Sequence, residues 1–260
     1  MNTRKKLIIG NWKMYKNVSN ASLLLNRLEK VVAVYRDVDV VLCPTMLTLQ
    51  SLSLQVNRRQ FKLGAQNCYW RDEGAFTGEV SAAQLSGVVD YVLIGHSERR
   101  HIFGESEKDI RAKVQAAIRN RLRPVICVGE TAAQRVDGET RAVIQDQVVS
   151  ALANITSDEI DTISIAYEPV WAIGTGENAQ PADAEKVAQI IHKQVTTLYG
   201  EQAADAIRIL YGGSVNDQNA ASYMTGSRID GLLVGGASLT PQIFAKIVDE
   251  AHNNHNDKKV

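Results

Sequence analysis

Glu168 ends a run rich in β-branched and apolar residues, Thr162 to Tyr167, and Pro169 directly after it bars the helical basin to that glutamate. The carboxylate is therefore expected at a strand end. Behind it, Val170-Trp-Ala-Ile173 is apolar and Gly174-Thr-Gly176 is free to bend, a composition that suits a hinged lid better than a solvated loop. An acid shut in by such a lid loses water, which raises its basicity and fits it to take a proton from carbon beside a carbonyl. A strand-end glutamate alone is more often a solvated carboxylate. The attached lid turns the reading toward catalysis.

Carbon-proton abstraction leaves charge on oxygen, which needs cations and donors nearby. Asn11 and Lys13 stand two residues apart in what reads as an extended segment, so they share one side, although each taken singly is an ordinary turn former and an ordinary surface lysine. His96 follows another strand directly; a lone histidine there serves as a structural donor as readily as a catalyst. The next residues, Ser97-Glu-Arg-Arg100, can begin a helical turn that places N–H groups near its ring. Gly212-Gly-Ser214 and Gly235-Gly236 follow the last two strands. A glycine pair commonly means only a turn, but two such pairs in succession leave backbone N–H groups open to an anion. Cys127 reads as a small packed hydrophobe, since no histidine partner is evident for it.

The elements that must carry these residues alternate. Short apolar runs at 7–9, 38–43, 61–65, 91–94, 124–128, 162–167, 206–211 and 231–234 read as strands. Between them lie helical faces: Leu23, Leu24, Leu28 and Val31 after a cap at Ser19 or Asn20, then residues 47–56, and Ile144, Val148, Leu152 and Ile155. Ser81 with Gln84, and Ser106 with Asp109, mark two further helix starts, Pro181 and Gly200 bracket another helix, and Thr240-Pro241 opens the last. Such alternation implies an α/β protein with a parallel sheet. The candidate residues follow strands one, four, six, seven and eight, and the first and eighth can serve one site only as neighbours. That favours a closed eight-stranded parallel (β/α)8 barrel, with its site at the carboxyl ends of the strands. An open doubly wound sheet would leave Lys13 far from Gly235. We expect one barrel domain over 1–251 and a polar, frayed tail over 252–260.

Composition narrows the classes. The chain has 260 residues, 45% of them hydrophobic, enough for a large core without disulfides. Twenty-nine basic residues balance 29 acidic ones, so no overall basic field points to nucleic acid. Cys43, Cys68 and Cys127 are odd in number and lack CxxC spacing, which fits a reducing cytoplasm. Arg4-Lys-Lys6 precedes an apolar run too short for a signal peptide, and no stretch has the length of a membrane span.

Five stretches, taken in order, resemble the triosephosphate isomerase family: Gly10–Met14, Ile94–Arg100, Ile165–Gly176, Tyr211–Ser214 and Gly231–Ser238. The resemblance runs from about residue 5 to about residue 250 without a large insertion and implies a TIM barrel. It implies interconversion of dihydroxyacetone phosphate and D-glyceraldehyde 3-phosphate through an enediolate, in glycolysis and gluconeogenesis, without metal or organic cofactor. In that family the glutamate matching Glu168 is the base, and the histidine matching His96 is a neutral electrophile. Lys13 would meet phosphate and substrate oxygen, with Asn11 holding Lys13 and the carbonyl oxygen. Gly174, Ser214, Leu233, Gly235 and Gly236 would bind substrate or phosphate, supported by Ser97, Glu98 and Gly213. Glu98 would pair with Lys13 or shuttle protons, while Arg100 and Glu105 would form a structural ion pair.

The segment 66–80 is long for a loop and carries Tyr69, Trp70 and Phe76, so it should be buried against something. In the family this loop docks into a second subunit, and Thr77 would reach the neighbour's site, implying a homodimer. Two departures stand out, Glu177-Asn-Ala179 at the lid's second hinge and Arg71-Asp-Glu73 at the loop tip. Two other readings are a metal-dependent phosphosugar epimerase and a retired enzyme fold that only binds a phosphate ligand. The first wants converging His and Asp ligands, yet apart from His96 the histidines sit in helical or tail positions. The second sits poorly with Asn11, Lys13, His96 and Glu168 all intact.

Overall fold

The computed structural model describes residues 4–172 and 178–257. Short apolar runs flanked by turn residues become eight strands: β1 (Lys6–Asn11), β2 (Val38–Cys43), β3 (Lys62–Ala65), β4 (Tyr91–Ile94), β5 (Arg123–Val128), β6 (Ser164–Tyr167), β7 (Arg208–Tyr211) and β8 (Gly231–Val234). All pair in parallel with their sequence neighbours, and β8 closes on β1 with Leu7 opposite Gly231 and Gly10 opposite Val234. Closure depends on Gly231, where a Cβ would stand 1.9 Å from the Leu7 carbonyl oxygen. The open-sheet alternative is thereby excluded.

Alternation along each strand divides the core in two. Leu7, Ile9, Val41, Leu93, Val125 and Leu210 fill the barrel, whereas Ile8, Val40, Val92 and Ile126 face the surrounding helices. At the amino end the barrel is plugged by polar groups: Arg208 donates to the Tyr91 hydroxyl at 2.9 Å and pairs with Asp39 at 3.0 Å. That arrangement leaves the carboxyl end as the open mouth.

Helix starts follow the capping chemistry of the sequence, with reciprocal boxes at Ser81/Gln84 and Ser106/Asp109. The first helix is an exception to the expected cap. Its cap is Asn17, whose side chain accepts the Asn20 N–H at 2.9 Å, not Ser19 or Asn20. The final helix spans Pro241–Asp257. The expected fraying from His252 therefore does not hold over that range, because His252 stacks on Tyr35 at 3.9 Å and meets Asp37 at 2.9 Å. Arg100 and Glu105 are not partners of each other. Arg100 pairs with Glu107, and Glu105 is held by Arg99 at 2.6 Å and Lys113 at 2.8 Å.

Candidate active site

The carboxyl ends of β1, β4, β6, β7 and β8 deliver Asn11, Lys13, His96, Glu168, Gly212–Ser214, Leu233 and Gly235–Gly236 to one cleft of about 320 Å³. Asn11 and Lys13 come together differently from the expected extended alternation. The chain turns after β1: Lys13 takes φ +50°, and its N–H donates to Asn11 Oδ1 at 3.0 Å. Gln66 fixes the turn by donating to the carbonyls of Lys13 and Cys43. The Lys13 ammonium reaches Glu98 Oε1 at 2.5 Å, so the expected pairing with Glu98 is present.

His96 caps the short helix Ser97–His101, as the sequence suggested, and its Nδ1 accepts the Glu98 N–H at 3.2 Å. That bond places the resident ring proton on Nε2, which points at Glu168 Oε1 2.9 Å away. Burial lowers the ring's proton affinity, but the Glu168 and Glu98 carboxylates outweigh it, and the pKa is raised from its ordinary value. A second proton would have to displace the Glu98 N–H from Nδ1.

Glu168 is 2% exposed and accepts the Ser97 N–H at 2.8 Å through Oε2. Burial pushes its pKa up, while His96, the Ser97 N–H and Lys13 together pull it below the ordinary carboxylate range. Both oxygens are thus engaged and the acid is a weak base as it rests here, contrary to the raised basicity expected from enclosure alone. Removing a proton from carbon requires it to leave these donors.

Of the lid, Val170–Ala172 forms a single 3-10 turn, and Trp171 Nε1 donates to Glu130 Oε1 at 3.0 Å. Ile173, Gly174 and the first hinge-departure residue Glu177 lie outside the described residues. Glu130 had escaped the sequence reading. It is fully buried after β5, also accepts the Tyr167 hydroxyl at 3.1 Å, and anchors the lid's first turn. Its signal was an acid following a strand end, the same one that identified Glu168. Gly129 was missed too: a Cβ there would stand 1.7 Å from the Glu168 carbonyl oxygen.

Cys127 lies wholly buried inside the barrel, its thiol pushed well up by burial, as a packed residue should be. Thr77 is exposed and lines neither the cleft nor its neighbour beside Lys13. Among the described residues, one group of His and carboxylates has metal-like spacing, His192, Glu201 and Asp205; none of the three lines the cleft, and Arg228 reaches Asp205 at 2.9 Å.

A closed parallel barrel that gathers an acid, an imidazole and an ammonium beside glycine-rich loops defines an acid–base barrel enzyme handling small anionic substrates. The triosephosphate isomerase family model matches residues 6–251. Triosephosphate isomerase of Trichlorobacter lovleyi is 46% identical over 246 residues, covering 94% of this chain and 98% of that protein. Those of Caldanaerobacter subterraneus subsp. tengcongensis and Dictyoglomus turgidum are 43% and 42% identical, over 95% and 94% of this chain and 99% of each relative. The chain belongs to the triosephosphate isomerase family.

Proposed function

We propose that the chain interconverts dihydroxyacetone phosphate and D-glyceraldehyde 3-phosphate, and that the cleft residues divide the work as follows. The substrate phosphate lies against the loops after β7 and β8, where Gly212–Ser214 and Gly235–Gly236 leave room for an anion to approach backbone. Ser214 and Leu233 line its flank. Lys13 and Asn11 face the substrate oxygens from β1, and His96 presents Nε2–H to the carbonyl.

Glu168 leaves both the Ser97 N–H and the His96 Nε2–H, which frees the latter for the substrate, and takes a proton from the carbon next to that carbonyl. The electron pair moves into the carbon–carbon bond and the carbonyl π pair onto oxygen, giving the enediolate. His96 Nε2 gives its proton to one oxygen and recovers one from the other, and Glu168 returns its proton to the neighbouring carbon. No electron is gained or lost overall. Lys13 and the Nε2–H stabilise the charge that develops in between. Closure of the lid keeps water from the intermediate, which would otherwise tend to eliminate phosphate.

What supports this reading is that Asn11, Lys13, His96 and Glu168 share one cleft with the glycine loops after β7 and β8. A coupled assay of glyceraldehyde 3-phosphate formation, run with and without chelator, tests it. Turnover that survives chelation is expected, and absence of turnover would refute the reading.

The working form is proposed to be a homodimer in the cytoplasm. Beside Lys13 a second cleft is lined by Met14, Met46, Val80 and Phe103. Met14 is 93% and Phe103 67% exposed in the single chain, and Ile102 and Leu47 are also bare. Bare apolar side chains gathered beside a cleft suit an interaction surface. The 66–80 loop of a second copy is the proposed cover, with Thr77 extending toward the neighbour's Lys13.

A further inference from the structure

At the amino end of the barrel, opposite the catalytic mouth, a separate concavity of about 360 Å³ lies between the starts of β3 and β5. Arg58, Lys62, Arg121 and Arg123 line it, with Ser86, Gly87 and Asp90. The chain as a whole carries equal numbers of acidic and basic residues, so four cations around one carboxylate are a local concentration of charge. Asp90 is already occupied, since Arg58 reaches its Oδ2 at 3.3 Å while also donating to the Val88 carbonyl at 2.9 Å. Arg123 is partly committed to the Tyr91 hydroxyl at 3.3 Å. Lys62 and Arg121 have no carboxylate within ion-pair distance among the described residues.

Two backbone features shape this wall. Gly87 takes φ +82° and nothing stands within 4 Å of the position a Cβ would occupy. Arg121 takes φ +61°, a conformation for which a turn alone would favour glycine or asparagine. An arginine there puts a guanidinium at the edge of the concavity despite the backbone cost.

We infer that this concavity binds an oligophosphate anion, pyrophosphate or the diphosphate tail of a nucleotide, at a site separate from the catalytic cleft. Guanidinium groups grip phosphate oxygens in pairs, and an ammonium adds a point charge. The surplus of three positive charges matches a diphosphate better than a single phosphate. A concave, pocket-sized site also fits a compact anion better than the extended backbone of a nucleic acid, which calls for a long basic track.

Calorimetric titration of the full chain with pyrophosphate tests this, with mouth occupancy read separately as competitive inhibition of turnover. The intact protein should show two classes of site, only one having a dissociation constant equal to the inhibition constant. In the Lys62→Gln, Arg121→Gln double variant the other class should weaken at least about tenfold, the loss expected from removing two charge-assisted contacts. Melting temperature and kcat/KM should be unchanged, which separates this outcome from misfolding; Lys62→Gln alone serves if the double variant melts early. ADP and adenosine distinguish the sources. ADP binding like pyrophosphate assigns the site to the diphosphate, tighter ADP binding assigns it to a nucleotide, and adenosine should not bind. A single class matching the inhibition constant, or a second class untouched by the substitutions, would overturn the inference.

Discussion

Glu168 Oε1 lies 2.9 Å from His96 Nε2. The proposed base and the proposed electrophile thus hold each other before substrate arrives, with the Ser97 N–H taking the second carboxylate oxygen at 2.8 Å. A glutamine at 168 retains an oxygen able to accept the Ser97 N–H but cannot take a proton from carbon. Glu168→Gln should therefore fold normally and lower kcat by at least about 10²- to 10⁴-fold, the range of a general base. Steady-state kinetics beside a melting curve checks this. Near-normal turnover would remove Glu168 from the mechanism.

The same contact carries a pH signature. The carboxylate's pKa is lowered on folding, so its stabilisation is complete above its unfolded value, about 4.3, and is lost as pH falls through the folded value. The imidazole's is raised, so its stabilisation is complete below its unfolded value, about 6.5, and is lost as pH rises through the folded value. The difference in unfolding free energy between the intact chain and His96→Gln should therefore be largest between these limits and shrink on both sides. Denaturant titrations across that window measure it. A difference independent of pH would mean that the contact is not an ionic one.

Much of this site was legible in the sequence because strand ends announce themselves. Pro169 fixed the end of β6, the Ser97–Arg100 word marked the helix that His96 caps, and the two glycine pairs marked the loops that share its cleft. What sequence could not convey was geometry made by tertiary contact. Asn11 and Lys13 meet through a left-handed turn that Gln66 braces from another loop. Glu130 acquires its meaning only once β5 and β6 lie side by side and Trp171 finds it. The depressed pKa of Glu168 likewise depends on donors about seventy residues away in the chain, and the last helix is extended by a stacking partner near its opposite end in sequence, Tyr35.

The glycine walls make separable predictions. A Cβ on Gly213 would stand 2.1 Å from the buried Tyr211 hydroxyl, so Gly213→Ala should destabilise the fold by about 1–3 kcal/mol. A Cβ on Gly236 meets nothing within 4 Å. Gly236→Ala should leave the melting temperature unchanged and raise KM by roughly tenfold, because the methyl occupies only space proposed for the phosphate. If Gly236→Ala left KM as it was, the anion would have to bind elsewhere.

Lys13 and Glu98 are bonded at 2.5 Å but are 27% and 37% exposed, so their pair is worth about 1 kcal/mol or less to stability. Losses on removing Lys13 should then be catalytic. Lys13→Met should lower kcat/KM by at least about a hundredfold, the cost of one lost charge-stabilising group, while hardly moving the melting temperature. Glu98→Gln, which leaves the ammonium in place, should cost far less. Equal losses in the two variants would mean that the ion pair itself, not the cation, is the working unit.

The apolar surface around Lys13 predicts the assembly. Met14, Leu47, Ile102 and Phe103 are each more than two-thirds exposed or close to it in the single chain, and Tyr69, Trp70 and Phe76 cluster on the nearby 66–80 loop. Covering such surface is worth about 25 cal/mol per Å² of apolar area, and a stable interface of roughly 1,600 Å² in total supplies ample driving force. The chain should therefore sediment as a dimer at micromolar concentration, and its melting temperature should rise with concentration by mass action. Met14→Glu with Phe103→Glu places two carboxylates in the buried region and should shift the species to monomer, with loss of turnover, if the neighbour's loop completes the site. A chain that sediments only as a monomer before substitution would rule the dimer out. A dissociated variant retaining full kcat/KM would keep the dimer but deny Thr77 and its loop any part in the partner's cleft.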